Sequence, residues 1–129
     1  KAASLRAHSL ARVADDHRGG SVVERRQDRV PAGWQDRVLR HLGDPVYVTI
    51  DLDGFDPSLV PATGTPEPGG LDWYQVTGLL ERVASGRRVV GFDVVELCPA
   101  PGQWASEFLA AKLVYRFLSL ILADHQPSR

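Results

Sequence analysis

The sequence predicts an α/β fold with parallel strands joined by right-handed crossovers. Two observations carry this. Val46–Ile50 (VYVTI) is a short, continuous apolar run rich in β-branched residues, and Arg88–Val95 (RVVGFDVV) reads as a second buried strand. That is the pattern of strands covered on both faces of a parallel sheet. Each run is flanked by segments whose apolar residues recur at helical spacing, so the order reads helix, strand, helix, strand, helix.

The elements follow from their residues. Trp34, Val38, Leu39 and Leu42 share one helical face, and Gly43 marks its C-terminal cap. After Val46–Ile50 comes a stretch, residues 51–70, with four prolines and four glycines. A stiff loop of that length inside a compact domain is usually functional. Asp72 can cap a helix from Trp73 to Ser85 carrying Val76, Leu79, Leu80 and Val83 on one side, with Gly86 ending it. Pro99, Pro101 and Gly102 then break the chain after the second strand. Ser106 opens a long helix to Ala123 that is apolar nearly all round (Phe108, Leu113, Val114, Phe117, Leu118, Ile121), which predicts burial in a larger body than this chain supplies. Residues 1–33 are rich in Arg, Ala and Gly. They read as an N-terminal arm with a short helix around Ser4–Ala14, set apart from a domain over 34–129.

The totals exclude several classes. The 129 residues suffice for one core but not two, and 43% hydrophobic with 24% charged is ordinary for a globular protein. A net charge of −1 gives no footprint for nucleic acid or an anionic membrane. Lys112 and Arg116 interrupt the longest apolar run, so no membrane span is expected. The single cysteine, Cys98, rules out an internal disulfide framework and suits a reducing cytoplasm. Cys98 reads as a small buried residue. The chain has no methionine and starts at Lys1, which predicts something other than a complete reading frame.

Chemistry concentrates in IDLDGFDP, residues 50–57. Strand side chains alternate, so Asp51 and Asp53 point the same way if strand geometry continues past Ile50. Both lie at the carboxyl end of a parallel strand, where α/β proteins bind ligands. Two close carboxylates repel, and a hard divalent cation such as Mg²⁺ or Mn²⁺ removes the conflict. Asp56, before Pro57, reads as a structural acceptor for its own turn, supporting the pair from behind. Thr63-Gly64-Thr65-Pro66 offers two hydroxyls that can orient metal ligands, Thr65 foremost. Glu96 ends the second strand. If the strands are neighbours it faces the same crevice, where a carboxylate suits a cationic group such as a guanidinium. Asp93, inside that strand, reads as a satisfied buried residue or a support for the site. His8, His17, His41 and His125 form no pair at ligand spacing.

VYVTIDLDGFDPSLVPATGTPEPGGLDW, residues 46–73, resembles the ureohydrolase signature of arginase, agmatinase and formiminoglutamase: D-x-D-x-x-D-P, then G-T-P and G-G. GFDVVELCP resembles the second family landmark and ASEFLAAKLVYRFLSLIL the C-terminal helix, so the likeness runs from Trp34 to Leu122. The wording is most like agmatinase. The resemblance implies the C-terminal part of a three-layer arginase-like fold, a parallel sheet flanked by helices. It implies two Mn²⁺ ions, with Asp51 and Asp53 as metal ligands and Glu96 salt-bridging a small-molecule guanidino substrate, agmatine first. Activated water would attack the guanidinium carbon and release urea. It also implies a homo-oligomer.

Four further ligands of the family pattern, one histidine and an Asp-x-His-x-Asp segment, do not occur here, nor does its proton-transfer histidine. The chain therefore carries no catalytic side chain beyond its metal ligands, and is expected to be inactive alone. The alternative is a catalytically dead relative kept for assembly or regulation. IDLDG also imitates the opening motif of haloacid-dehalogenase phosphatases. Phe55-Asp56-Pro57 stands here in place of the threonine and apolar residue that succeed the glycine in that motif.

Overall fold

The computed structural model describes residues 32–124. The helix expected around Ser4–Ala14 lies outside them. The described chain runs α1 (Trp34–His41), β1 (Val46–Asp51), a 3₁₀ turn (Leu52–Gly54), α2 (Trp73–Gly86), β2 (Val89–Val95) and α3 (Ala105–Asp124). β1 and β2 pair in parallel, from Val46 against Val89 to Asp51 against Val95. Because the pairing is parallel, both strands end on the same side of the sheet, and the segments after Asp51 and Val95 meet there.

The helices form where the sequence places them, with two instructive details. Asp72 closes a reciprocal cap at the start of α2. Its carboxylate accepts from the Gln75 backbone N–H at 2.8 Å, and the Gln75 side chain accepts from the Asp72 N–H at 2.9 Å. At the end of α1 the expected Gly43 cap does not form. Leu42 caps in an extended conformation, with φ −82° and ψ 136°. Arg87 reaches back to this end, donating to Leu39 O at 2.6 Å, which also accepts the Leu42 N–H, and to Leu42 O at 3.3 Å. A long-range guanidinium replaces the local left-handed glycine.

The core lies on one face of the sheet. Val46, Val48 and Ile50 of β1 pack with Leu79, Val83, Leu113 and Phe117 of the helices. Phe92 meets Phe117 edge-on at 4.9 Å between ring centres. Burying each such side chain contributes about 1.5–3 kcal/mol. The expectation that both faces of the strands are covered is not met among the described residues. Tyr47 and Val90 are exposed, and Thr49, Asp51, Asp93 and Val95 are only half-buried. All three described helices leave this second face without a layer. The alternation of β1, buried at 46, 48 and 50 and open at 47, 49 and 51, follows from the period of a strand.

On the open face the Tyr47 ring lies across Gly91. A Cβ at Gly91 would come within 2.8 Å of that ring. The missing side chain lets the phenol reach over and donate to Asp93 Oδ2 at 3.0 Å. Among the described residues no helix is long and apolar enough to cross a membrane.

Candidate metal and substrate site

Asp51 and Asp53 meet by a different route from the expected one. Strand geometry stops at Asp51, and Leu52, fully buried, pulls the chain into a 3₁₀ turn. Asp51 caps that turn, its Oδ1 accepting the Asp53 N–H at 3.0 Å. A short side chain bonding two residues ahead competes well with continued strand. The Asp pair is therefore joined by a capped turn rather than by strand alternation, at the carboxyl end of β1 as expected.

The loop after it is held as a unit. Asp56 is buried, and its carboxylate accepts from the Ser58 N–H at 3.1 Å, the Ser58 hydroxyl and the Gly69 N–H at 3.2 Å. Backbone bonds from Asp56 N to Leu71 O (3.0 Å) and from Leu71 N to Gly54 O (2.8 Å) close the loop's base. Gly70 makes that closure possible, since a Cβ there would fall 2.3 Å from the Phe55 carbonyl carbon. The atoms it would meet, the Phe55 carbonyl and the Asp56 nitrogen, are backbone and cannot yield.

This closure sets the Thr63–Pro66 stretch over the strand ends. The Thr65 hydroxyl donates to Asp53 Oδ2. Thr63 forms an isolated bridge with Leu97, and Cys98 N donates to Ala62 O at 2.9 Å. The Ala62 N–H in turn donates to the buried Ser106 hydroxyl at 3.1 Å, fixing the loop to the start of α3. Glu96 sits one residue past Val95, the register partner of Asp51. Its Oε2 lies 3.8 Å from where a Gly64 side chain would begin. Glu96 is exposed and holds φ +66°, a left-handed conformation that costs a non-glycine residue about 1–2 kcal/mol. Such strain is characteristic of functional sites.

Two carboxylates, one strained glutamate and a hydroxyl-bearing loop thus converge at one end of the sheet. The donor set suits a hard cation on the Asp51–Asp53 side. Asp53 Oδ2 is already held by Thr65, while Asp53 Oδ1 is buried and without a hydrogen-bond partner. A buried, unpaired carboxylate oxygen is costly, and a cation would relieve it. No group of three or more His, Cys, Asp or Glu residues able to hold a metal occurs among the described residues.

Cys98 is exposed, against the expected burial, because it comes after the end of β2 in a proline-bounded segment that runs over the rim. His41 sits on α1 with Nδ1 2.7 Å from Arg37 O, away from the carboxylates, and His8, His17 and His125 lie outside the described residues. Asp93 is half satisfied: Tyr47 takes one oxygen and the other is buried without a partner. Sequence reasoning missed Tyr47. The signal available was Gly91, a glycine inside an apolar strand, which marks a close approach.

Comparison with known proteins places these residues in context. The arginase family pattern matches residues 7–119, beginning upstream of the motifs that carry the likeness. The chain is 52% identical over 85 residues to N(1)-aminopropylagmatine ureohydrolase of Thermus thermophilus, covering 66% of this chain and 29% of that protein. It is 43% identical over 83 residues to agmatinase of Pyrococcus horikoshii, covering 64% and 29%. Among solved structures, proclavaminate amidinohydrolase from Streptomyces clavuligerus superposes with a TM-score of 0.65 at 38% identity, over 72% of this chain and 32% of that one. Agmatine ureohydrolase of Thermoplasma volcanium gives 0.64 at 34% identity, over 77% and 35%. The chain spans about three tenths of the length of the curated relatives it matches.

Proposed function

The chain belongs to the arginase family, and from that membership we propose that it forms the carboxyl-terminal wall of a Mn²⁺-dependent ureohydrolase site. The observation that carries the proposal is the meeting of Asp51, Asp53 and Glu96 at one end of the sheet, with Asp53 Oδ1 left unpaired. In this reading Asp51 and Asp53 hold the metal. Thr65 fixes Asp53 through its other oxygen, and Asp56 supports both by closing the loop.

When bound, two Mn²⁺ ions would supply the Lewis acidity that makes water a nucleophile near neutral pH. This chain's own residues bind and orient. Glu96 presents a carboxylate to a planar guanidinium, a pairing favoured by charge and by parallel hydrogen bonds. Its left-handed backbone turns it out of the path β2 would otherwise take. The substrate proposed is an aliphatic guanidine with a cationic tail. N(1)-aminopropylagmatine stands ahead of agmatine, because the Thermus relative named for it is 52% identical against 43% for the agmatinase of Pyrococcus horikoshii. The cytoplasm is the proposed location, in keeping with one exposed, unpaired thiol.

Two carboxylates alone hold Mn²⁺ weakly, so the chain by itself is expected to be inactive. The test uses a polypeptide joining this chain to the remaining part of the family fold. It should release urea from N(1)-aminopropylagmatine only when loaded with Mn²⁺. Glu96→Ala should raise KM by tenfold or more, on the order of one lost charged pair, and leave Mn²⁺ affinity unchanged. Equal loss of both would remove the role given to Glu96. Absence of urea release together with absence of Mn²⁺ binding would favour a non-catalytic relative.

A further inference from the structure

Among the described residues the buried polar side chains are Asp56, Thr77 and Ser106. Asp56 closes its own loop, and the Thr77 hydroxyl donates to Trp73 O, one turn back in its own helix, at 2.8 Å. Ser106 alone of the three reaches across the fold. It is fully buried in the first turn of α3, where serine forms helix less readily than alanine. Its hydroxyl oxygen accepts the Ala62 N–H at 3.1 Å, from a residue 44 positions back in the chain. Ala62 is buried too, so bulk water does not stand in for that acceptor. Ala62 is also held on its other side. Its carbonyl accepts the Cys98 N–H at 2.9 Å, and Thr63 bridges Leu97 beside it. The two backbone groups of Ala62 therefore join three segments: the start of α3, the loop after β1 and the segment after β2.

Two of these segments carry the walls of the site. Just beyond Ala62, the Thr65 hydroxyl donates to Asp53. Just before Cys98 stands Glu96, exposed and in left-handed strain. Cys98 is exposed as well, so the segment after β2 has little packing of its own to hold it. The loop is closed at its base between Asp56 and Leu71, well away from Thr65. α3 is the firm partner. Ala110, Leu113 and Phe117 seat it in the core, the last two with no exposed surface. The bond from Ala62 to Ser106 is where both walls are tied to a rigid body. Supporting hydrogen bonds from a rigid element hold ligands and substrate groups more precisely than a loop does alone.

We propose, resting on the roles given above to Asp53 and Glu96, that Ser106 is a positioning residue for both walls at once. It acts through the Ala62 N–H on Thr65 and Asp53, and through the Ala62 carbonyl on Cys98 and Glu96. Ser106 itself touches neither metal nor substrate, so its mark is a joint change in the binding of both. The test uses the polypeptide joining this chain to the remaining part of the fold, as wild type, Ser106→Ala and Ser106→Cys. Alanine keeps the helix and removes the acceptor. Cysteine keeps the bulk but offers a thiol, a weak acceptor. In the metal-free protein both variants should speed hydrogen exchange at the Ala62 and Cys98 amides by about tenfold. Both should weaken Mn²⁺ binding, read by electron paramagnetic resonance, by about tenfold. Both should also raise KM for N(1)-aminopropylagmatine at saturating Mn²⁺ by about fivefold. Glu96→Ala, in contrast, raises KM alone. Should alanine fail to fold, cysteine carries the test. A lower melting midpoint with Mn²⁺ affinity and KM unchanged would make Ser106 a purely structural residue and overturn the proposal. A change in only one of the two constants, or cysteine behaving as wild type, would overturn it equally. A wild type that neither binds Mn²⁺ nor releases urea would instead remove the underlying reading of the site, and this proposal with it.

Discussion

The two faces of one sheet are built from alternate residues of the same strands, yet they do different work. Val46, Val48 and Ile50 disappear under the helices, while Tyr47, Thr49 and Asp51 stay open or half-open. The packed face is all hydrocarbon, and its contribution is stability. The open face carries a phenol, a hydroxyl and two carboxylates, two of whose polar atoms are joined to each other across Gly91. Polar groups on a strand cost little where one face is uncovered and much where it is packed. A chain that has to present carboxylates at the end of a buried strand can therefore do so only at the strand's end or on its open side. Asp51 uses both.

The contrast can be broken on the packed face first. Phe117 is fully buried and holds Phe92 in place. Phe117→Ala should cost about 3–5 kcal/mol, enough to unfold a marginal chain, and a urea melt reads it directly. Next comes a paired exchange on neighbouring residues of β1. Val48→Thr buries a hydroxyl where Val48 is only 1% exposed, and should cost about 1–3 kcal/mol. Thr49→Val, one residue along on the open face, should change stability by no more than about 0.5 kcal/mol. Similar losses at both positions would mean that the second face is covered too.

Asp51→Asn sharpens the comparison from the functional side. Asparagine still accepts the Asp53 N–H, so the turn and the melting midpoint should hold. Mn²⁺ binding, measured by electron paramagnetic resonance, should weaken by about tenfold or more. Gly91→Ala is smaller. Its Cβ would press on the Tyr47 ring at 2.8 Å, and the ring can swing away at a cost of about 1 kcal/mol, breaking the bond to Asp93.

The smallest effect is a pH dependence. The hydrogen bond to Asp93, then desolvation and the Asp93 charge, raise the Tyr47 phenol above its ordinary value of 10.0. The folded chain keeps that proton to higher pH than the unfolded chain does. The stabilisation is therefore full below the ordinary value and declines as pH rises through the raised one. Urea midpoints taken from about pH 8 to about pH 11 should fall more steeply for the wild type than for Tyr47→Phe.

Sequence by itself determined the order of elements, the position of Asp51, Asp53 and Glu96 at the carboxyl ends of the two strands, and the family. These are local matters. Apolar periodicity sets helix or strand, Asp72 and Gln75 cap α2 by themselves, and IDLDGFDP is legible without a partner. Where contacts come from far along the chain, only the tertiary structure could decide. Arg87, rather than Gly43, terminates α1, because a guanidinium 45 residues from Leu42 reaches its carbonyl. Gly91 admits Tyr47 from the neighbouring strand. Fully buried Leu52 turns the Asp pair out of strand geometry, and the exposed side of α3 shows only once its other side is seen packed. Periodicity says that a side chain is apolar and where it points along its own element. What stands opposite it depends on which distant segments fold against it, and no local pattern records that.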